Sequence, residues 1–125
     1  MATYSRLLLS GSTNGRNIPV AATATPGTTV HTAVSGTTSF DEIYLWFSNL
    51  TALIEPITIE WGAAGATDNV IRGTTISGIS DLTLLIPGLC LNNGLVVRAF
   101  VGNGGTPGTA SALTCVGYVN RIVPD

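Results

Sequence analysis

Apolar and polar positions in this chain alternate with a period of two, in short segments separated by Gly, Thr, Ser and Asn. Ile57, Ile59 and Trp61 alternate with Thr58 and Glu60, and Val30, Thr32 and Val34 with Thr29, His31 and Ala33. A period of two places successive side chains on opposite faces, as on a β-strand. No stretch sustains a 3.6-residue repeat, and Pro19, Pro26, Pro56, Pro87, Pro107 and Pro124 interrupt most helical candidates. The pattern predicts strands near 4–9, 17–25, 28–34, 41–50, 57–61, 69–76, 81–86, 95–101 and 113–123. Asn14-Gly15 predicts a tight hairpin turn, Thr25-Pro26-Gly27 a second turn, and Asn92-Asn93-Gly94 the end of a connection over 87–94. The expected fold is all-β: one antiparallel β-sandwich or jelly-roll domain over residues 1–125, with about eight strands.

Several of these strands are apolar on both faces. Ile43, Leu45 and Phe47 share one face of the 41–50 segment, while Tyr44 and Trp46 take the other. In 95–101, Leu95, Val97 and Val101 oppose Val96 and Phe100, with Arg98 among them. In 113–123, Cys115 and Val119 oppose Val116, Tyr118 and Ile122. An antiparallel sandwich normally wets its outer faces with polar side chains. Here either loops of the same chain or another subunit covers the second faces. Tyr44, Trp46, Phe100 and Tyr118 are therefore the candidates for a subunit interface, and the segments at 1–6 and 123–125 for reaching a neighbour.

Composition strengthens that expectation. Only 10 % of the 125 residues are charged, against roughly 25 % in ordinary soluble domains. All five basic residues are Arg, and the mean hydropathy is +0.43. Charge keeps apolar patches apart in solution, so so little of it points to a surface destined to be covered by protein. A net charge of −2 with scattered Arg excludes the basic stripe of a nucleic-acid binder. No apolar run approaches the roughly 18 residues of a membrane-spanning helix, and neither a signal peptide nor the aromatic girdles of an outer-membrane barrel are evident.

Candidate chemistry is sparse. His31 is the single histidine, which excludes a two-histidine metal site, and it reads as a hydrogen-bonded strand residue. There is no Lys. Asp41 and Glu42 are adjacent and so point to opposite faces of a strand, leaving no acid–base pair. Asp68-Asn69 lacks the ligand spacing of a calcium loop. Gly102-Asn103-Gly104-Gly105 precedes no helix and is not a phosphate cradle. Cys90 and Cys115 read as buried free thiols without CxxC spacing. No catalytic residue, cofactor or metal is expected. Tyr44, Trp46 and Trp61 would suit a sugar-stacking platform if exposed, which keeps a carbohydrate-binding β-sandwich of a fibre or adhesin as the alternative.

In order along the chain, Leu8-Leu9-Ser10-Gly11-Ser12-Thr13-Asn14-Gly15-Arg16, Thr25-Pro26-Gly27-Thr28-Thr29-Val30-His31-Thr32-Ala33, Phe40-Asp41-Glu42-Ile43-Tyr44-Leu45-Trp46, Ile59-Glu60-Trp61-Gly62, Asn93-Gly94-Leu95-Val96-Val97-Arg98-Ala99-Phe100 and Gly117-Tyr118-Val119-Asn120-Arg121-Ile122 resemble segments of small virion proteins of tailed bacteriophages. The resemblance implies a capsid decoration, or cement, protein. Such a protein is made in the host cytoplasm, is often a homotrimer, and sits on the capsid surface clamping neighbouring major capsid subunits. A head–tail connector or tail component is the other virion role it allows. No catalytic residues are implied.

Overall fold

The computed structural model describes residues 1–62, 69–76, 82–103 and 108–125. Nine strands are present: β1 (Thr3–Leu8), β2 (Ile18–Pro19), β3 (Thr28–Thr32), β4 (Phe40–Asn49), β5 (Glu55–Gly62), β6 (Asn69–Ile76), β7 (Thr83–Leu91), β8 (Val96–Val101) and β9 (Leu113–Val123). Every strand pair is antiparallel. One sheet runs β1-β9-β4-β7, with β2 also on β9, and the other runs β3-β8-β5-β6. Because β1 and β2 lie end to end on β9, they occupy one strand position, and the two sheet orders are then those of a jelly roll. The all-β sandwich read from periodicity is the observed fold, and its winding is that of a jelly roll.

The period of two determines what goes inside. Ile43, Leu45 and Phe47 of β4 and Leu113, Cys115 and Val119 of β9 face inward. They meet Ile57 and Ile59 of β5 and Val97, Ala99 and Val101 of β8 from the opposite sheet. Burying such side chains contributes about 1.5–3 kcal/mol each, the main force holding the two layers together. The ladder between β4 and β9 runs uninterrupted from Phe40↔Ile122 to Asn49↔Leu113 and forms the spine of the first sheet.

Four expectations are corrected. Asn14 and Gly15 do adopt positive φ (55° and 81°), as do Asn93 and Gly94 (56° and 71°). However, the Asn14-Gly15 bend joins strands lying end to end rather than a hairpin, and only Ile18–Pro19 of the expected 17–25 strand pairs. Pro87 and Gly88 lie inside β7 rather than in a connection. They fit because β7 is an edge strand whose register against β4 shifts twice, and Gly88 takes φ 109°. Cys90 is exposed, not buried: it stands outward opposite Glu42, while Cys115 faces the core opposite Phe47.

The cysteine placement has a chemical consequence. Burial pushes the Cys115 thiol up to about 12, and partial burial together with Glu42 raises Cys90 more mildly. Because thiolate is the reactive species, a disulfide-exchange reagent at mildly alkaline pH is expected to titrate one thiol per native chain and two after unfolding. Two fast-reacting thiols in the native protein would contradict this placement.

The outer faces of the two sheets differ. On the second sheet, Thr58, Glu60, Val96, Arg98 and Phe100 are all buried. The 25–27 turn folds over this face, where Glu60 Oε1 accepts from Gly27 N (2.7 Å) and Thr25 Oγ1 (3.2 Å). Thr58 Oγ1 donates to Gly102 O (2.8 Å). Segments of the same chain therefore cover the outer face that carries Phe100. The first sheet's outer face has no such cover among the described residues.

Candidate functional site

Three of the four aromatic candidates converge on the open face. Tyr44 and Trp46 project outward from β4, and Tyr118 of β9 is the direct register partner of Tyr44. The Tyr44 and Tyr118 rings are 5.1 Å apart at 21°, Tyr44 and Trp46 are 6.5 Å apart at 25°, and Trp46 and Tyr118 are 5.8 Å apart at 31°. Arg6 of β1 places its guanidinium carbon 4.6 Å from the Tyr118 centroid. Since β9 lies between β1 and β4, Arg6 and Tyr44 flank Tyr118 from opposite sides. Nearly parallel rings this close cannot lie side by side in one plane, so they overlap face to face. The row Arg6–Tyr118–Tyr44 thus sets a guanidinium and a second ring against Tyr118.

Polar groups hold the row in place. The Tyr44 hydroxyl donates to Glu42 Oε1 (2.8 Å), and Asn120 Nδ2 donates to the same oxygen (3.2 Å). The bond to Glu42, helped by burial, raises the Tyr44 phenol above its usual range. Around the row stand the exposed Leu8 and Leu84, and Tyr4 is 73 % exposed. At the end of the sheet, Phe40, Cys90, Leu91, Asn92 and Leu95 line an open apolar hollow of about 420 Å³. These features are aromatic and apolar with few charges, the composition typical of a protein contact.

Phe100, the fourth candidate, lies apart from this cluster on the covered outer face of the second sheet and is 4 % exposed. Trp61 packs against the core cluster. His31 is fully engaged: Nδ1 accepts from Ser10 N (3.0 Å), which requires the proton on Nε2, and that nitrogen bonds Asp41 Oδ2 (2.8 Å). Asp41, with no exposed surface, also accepts from Arg121 Nε (2.7 Å) and Nη2 (3.0 Å) and from Val34 N (3.1 Å). Burial opposes its charge, yet the Arg121 bonds, followed by His31, outweigh that and hold its carboxyl below the usual range. The network fastens β3, β4 and β9 together. Asp68, considered for calcium, and the loop glycines Gly104 and Gly105 lie outside the described residues.

No protein-family model matches the chain, and no curated protein matches it. Among solved structures it is similar to a chain in the structure of the Gt strain of infectious bursal disease virus. The TM-score is 0.52, with 12 % identity across 98 % of this chain and 33 % of that one. The likeness is one of fold. A mutant VP2 protein of the same virus, from derived T=1 particles, is also similar at a TM-score of 0.43, with 14 % identity over 98 % of this chain and 29 % of that one. The present chain spans about a third of the length of these matches.

Convergence of Tyr44 and Trp46 was readable from their shared strand face. The participation of Arg6, Glu42 and Asn120 was not, because nothing in local sequence aligns residue 6 with residue 120 or residue 42 with residue 120.

Proposed function

We propose that this chain is a structural virion protein, a capsid decoration (cement) subunit that binds between major capsid subunits through the outer face of its first sheet. The observation that carries the reading is the uncovered Tyr44–Trp46–Tyr118 face on a jelly roll whose other outer face is sealed by its own loops. Fold likeness to a chain of a virus structure and the end-to-end sequence resemblance to phage virion proteins support the same direction. The resemblance also makes a homotrimer the expected unit, located on the capsid surface. Large aromatic side chains are the usual anchors of such contacts, since they bury much area at small entropic cost. Bound to the intact shell and not to the disrupted one, each copy stabilises the shell by mass action. Multiple contacts per particle add avidity.

The contacts of Arg6 and Tyr44 with the Tyr118 ring reduce the free aromatic face a sugar would stack on, which favours the protein-contact reading over the carbohydrate one. The decisive experiment mixes purified protein with shells lacking it and measures retention by co-sedimentation. Trp46→Ala combined with Tyr118→Ala is expected to weaken binding at least about 10-fold, as loss of an aromatic anchor does. Unchanged retention of this variant, or no affinity of the unaltered protein for the shells, would refute the reading.

A further inference from the structure

Edge strands expose unpaired backbone donors and acceptors, and folded proteins protect them with bulges, prolines, charges or short length. The described edges of this molecule obey that rule, with one exception. β7 carries Pro87 and two register shifts, β3 shifts between Thr29 and His31, and the β5–β6 ladder shifts between Ile57 and Ile59. β2 has two residues and ends in Pro19. β1 is straight: six consecutive pairs run from Thr3↔Val123 to Leu8↔Tyr118 with no shift, no Pro and no Gly, and Arg6 is its single charge. Thr3, Tyr4, Ser5, Arg6 and Leu8 are exposed, so the strand stands free on both faces. Among the described residues, the Thr3–Leu8 backbone makes hydrogen bonds to β9 alone.

We propose that β1 is a docking edge for the β1 of a second copy, joining two first sheets into one continuous antiparallel sheet about a two-fold axis. The side chains choose the register. An axis perpendicular to the sheet keeps outward residues opposite outward residues, so one residue of β1 must sit on the axis or face an equivalent position. With Arg6 on the axis, two guanidinium groups would meet directly, which is destabilising. With Tyr4 there, the overlap shortens and Arg6 faces the second copy's Ala2, with no aromatic ring opposite it. With Ser5 on the axis, Tyr4 stands opposite Arg6 of the partner subunit, and Arg6 stands opposite the partner's Tyr4. Thr3 then meets the partner's Leu7, and Ala2 the partner's Leu8. This register pairs a cation with an aromatic ring twice and extends the row Arg6–Tyr118–Tyr44 across the junction. A second copy is the occupant because β1 supplies both halves of that complementarity. The inference does not rest on the capsid reading, and a two-fold edge is distinct from any threefold contact.

Cysteine crosslinking tests the register directly. Directly opposed strand residues lie within the Cα separation of about 4.4–6.8 Å that a disulfide needs. In a Cys90→Ser background, Ser5→Cys is expected to form a disulfide-linked pair of chains under mild oxidation, while Thr3→Cys, displaced along the strand from its own copy, is not. Ser5→Lys places two ammonium groups on the axis and is expected to weaken self-association at least 10-fold by sedimentation equilibrium. Because Ser5 is exposed, both variants retain the fold, which circular dichroism checks. Absence of the Ser5→Cys product, equal crosslinking by Thr3→Cys, or self-association indifferent to Ser5→Lys overturns the proposal. Its failure leaves the shell-binding test untouched, since that test reads the Trp46 and Tyr118 face.

Discussion

Asp41→Ala is expected to cost about 3–5 kcal/mol of folding stability, the range for removing one partner of a buried ion pair. That is a large share of the 5–15 kcal/mol total typical of a domain. The carboxylate has no exposed surface and serves Arg121, His31 and the Val34 amide at once. Its removal strands the His31 Nε2–H in the interior and releases β3 from β4. Chemical denaturation reads the effect as a lower midpoint with unchanged slope. A loss below about 1 kcal/mol would show that the network is not holding the two sheets.

The same carboxylate sets an acid limit. Its native pKa lies below the ordinary aspartate value of 3.8, so below that pH the unfolded chain binds the proton more readily than the folded one. Stability therefore rises with pH through that window, is complete above the unfolded value, and is lost as pH falls through the native value. Denaturation midpoints between pH 5 and pH 2 are expected to fall more steeply for the unaltered protein than for Asp41→Asn. Parallel curves would contradict the assignment.

Gly117→Ala is expected to be the other severe change, at about 3 kcal/mol, the upper part of the usual overpacking range. Gly117 sits mid-strand in β9, opposite Leu45. A Cβ there would collide with the carbonyl oxygen of Tyr44 and lie 3.1 Å from the Tyr44 carbonyl carbon and 3.2 Å from the Leu45 Cα. These are backbone atoms of the neighbouring strand, which cannot rotate away, so the two central strands must separate. The separation falls where the Tyr44 and Tyr118 rings overlap. Near-ultraviolet circular dichroism is therefore expected to lose its aromatic signal even where the variant folds. A variant with native stability and native aromatic spectra would rule this account out.

These two sites mark where local reading stops. Ile43, Leu45 and Phe47 were assignable to the core, and Tyr44 and Trp46 to the other face, because strand geometry is periodic and each assignment needs only neighbouring residues. Asp41 was readable as opposite in facing to Glu42, and His31 as a satisfied strand residue. That Asp41 meets Arg121 was not readable, since the pairing depends on the β4–β9 register set by packing across the sheet. Gly117 looked like any strand glycine until β4 lay against it. Phe100 and Tyr118 looked alike, each aromatic on a second apolar face. The turn at 25–27 folds over the face of the one, and the other has no such cover among the described residues.

The strand content, the inward set of side chains and the scarcity of charge follow from the order of residues alone, because alternation and composition are local or summed properties. Which strands become neighbours, which outer face the chain covers with its own loops, and which edge is left straight follow from long-range packing. That packing brings Arg6, Tyr118 and Tyr44 into one row and leaves β1 with a free side, and no periodicity along the chain encodes either.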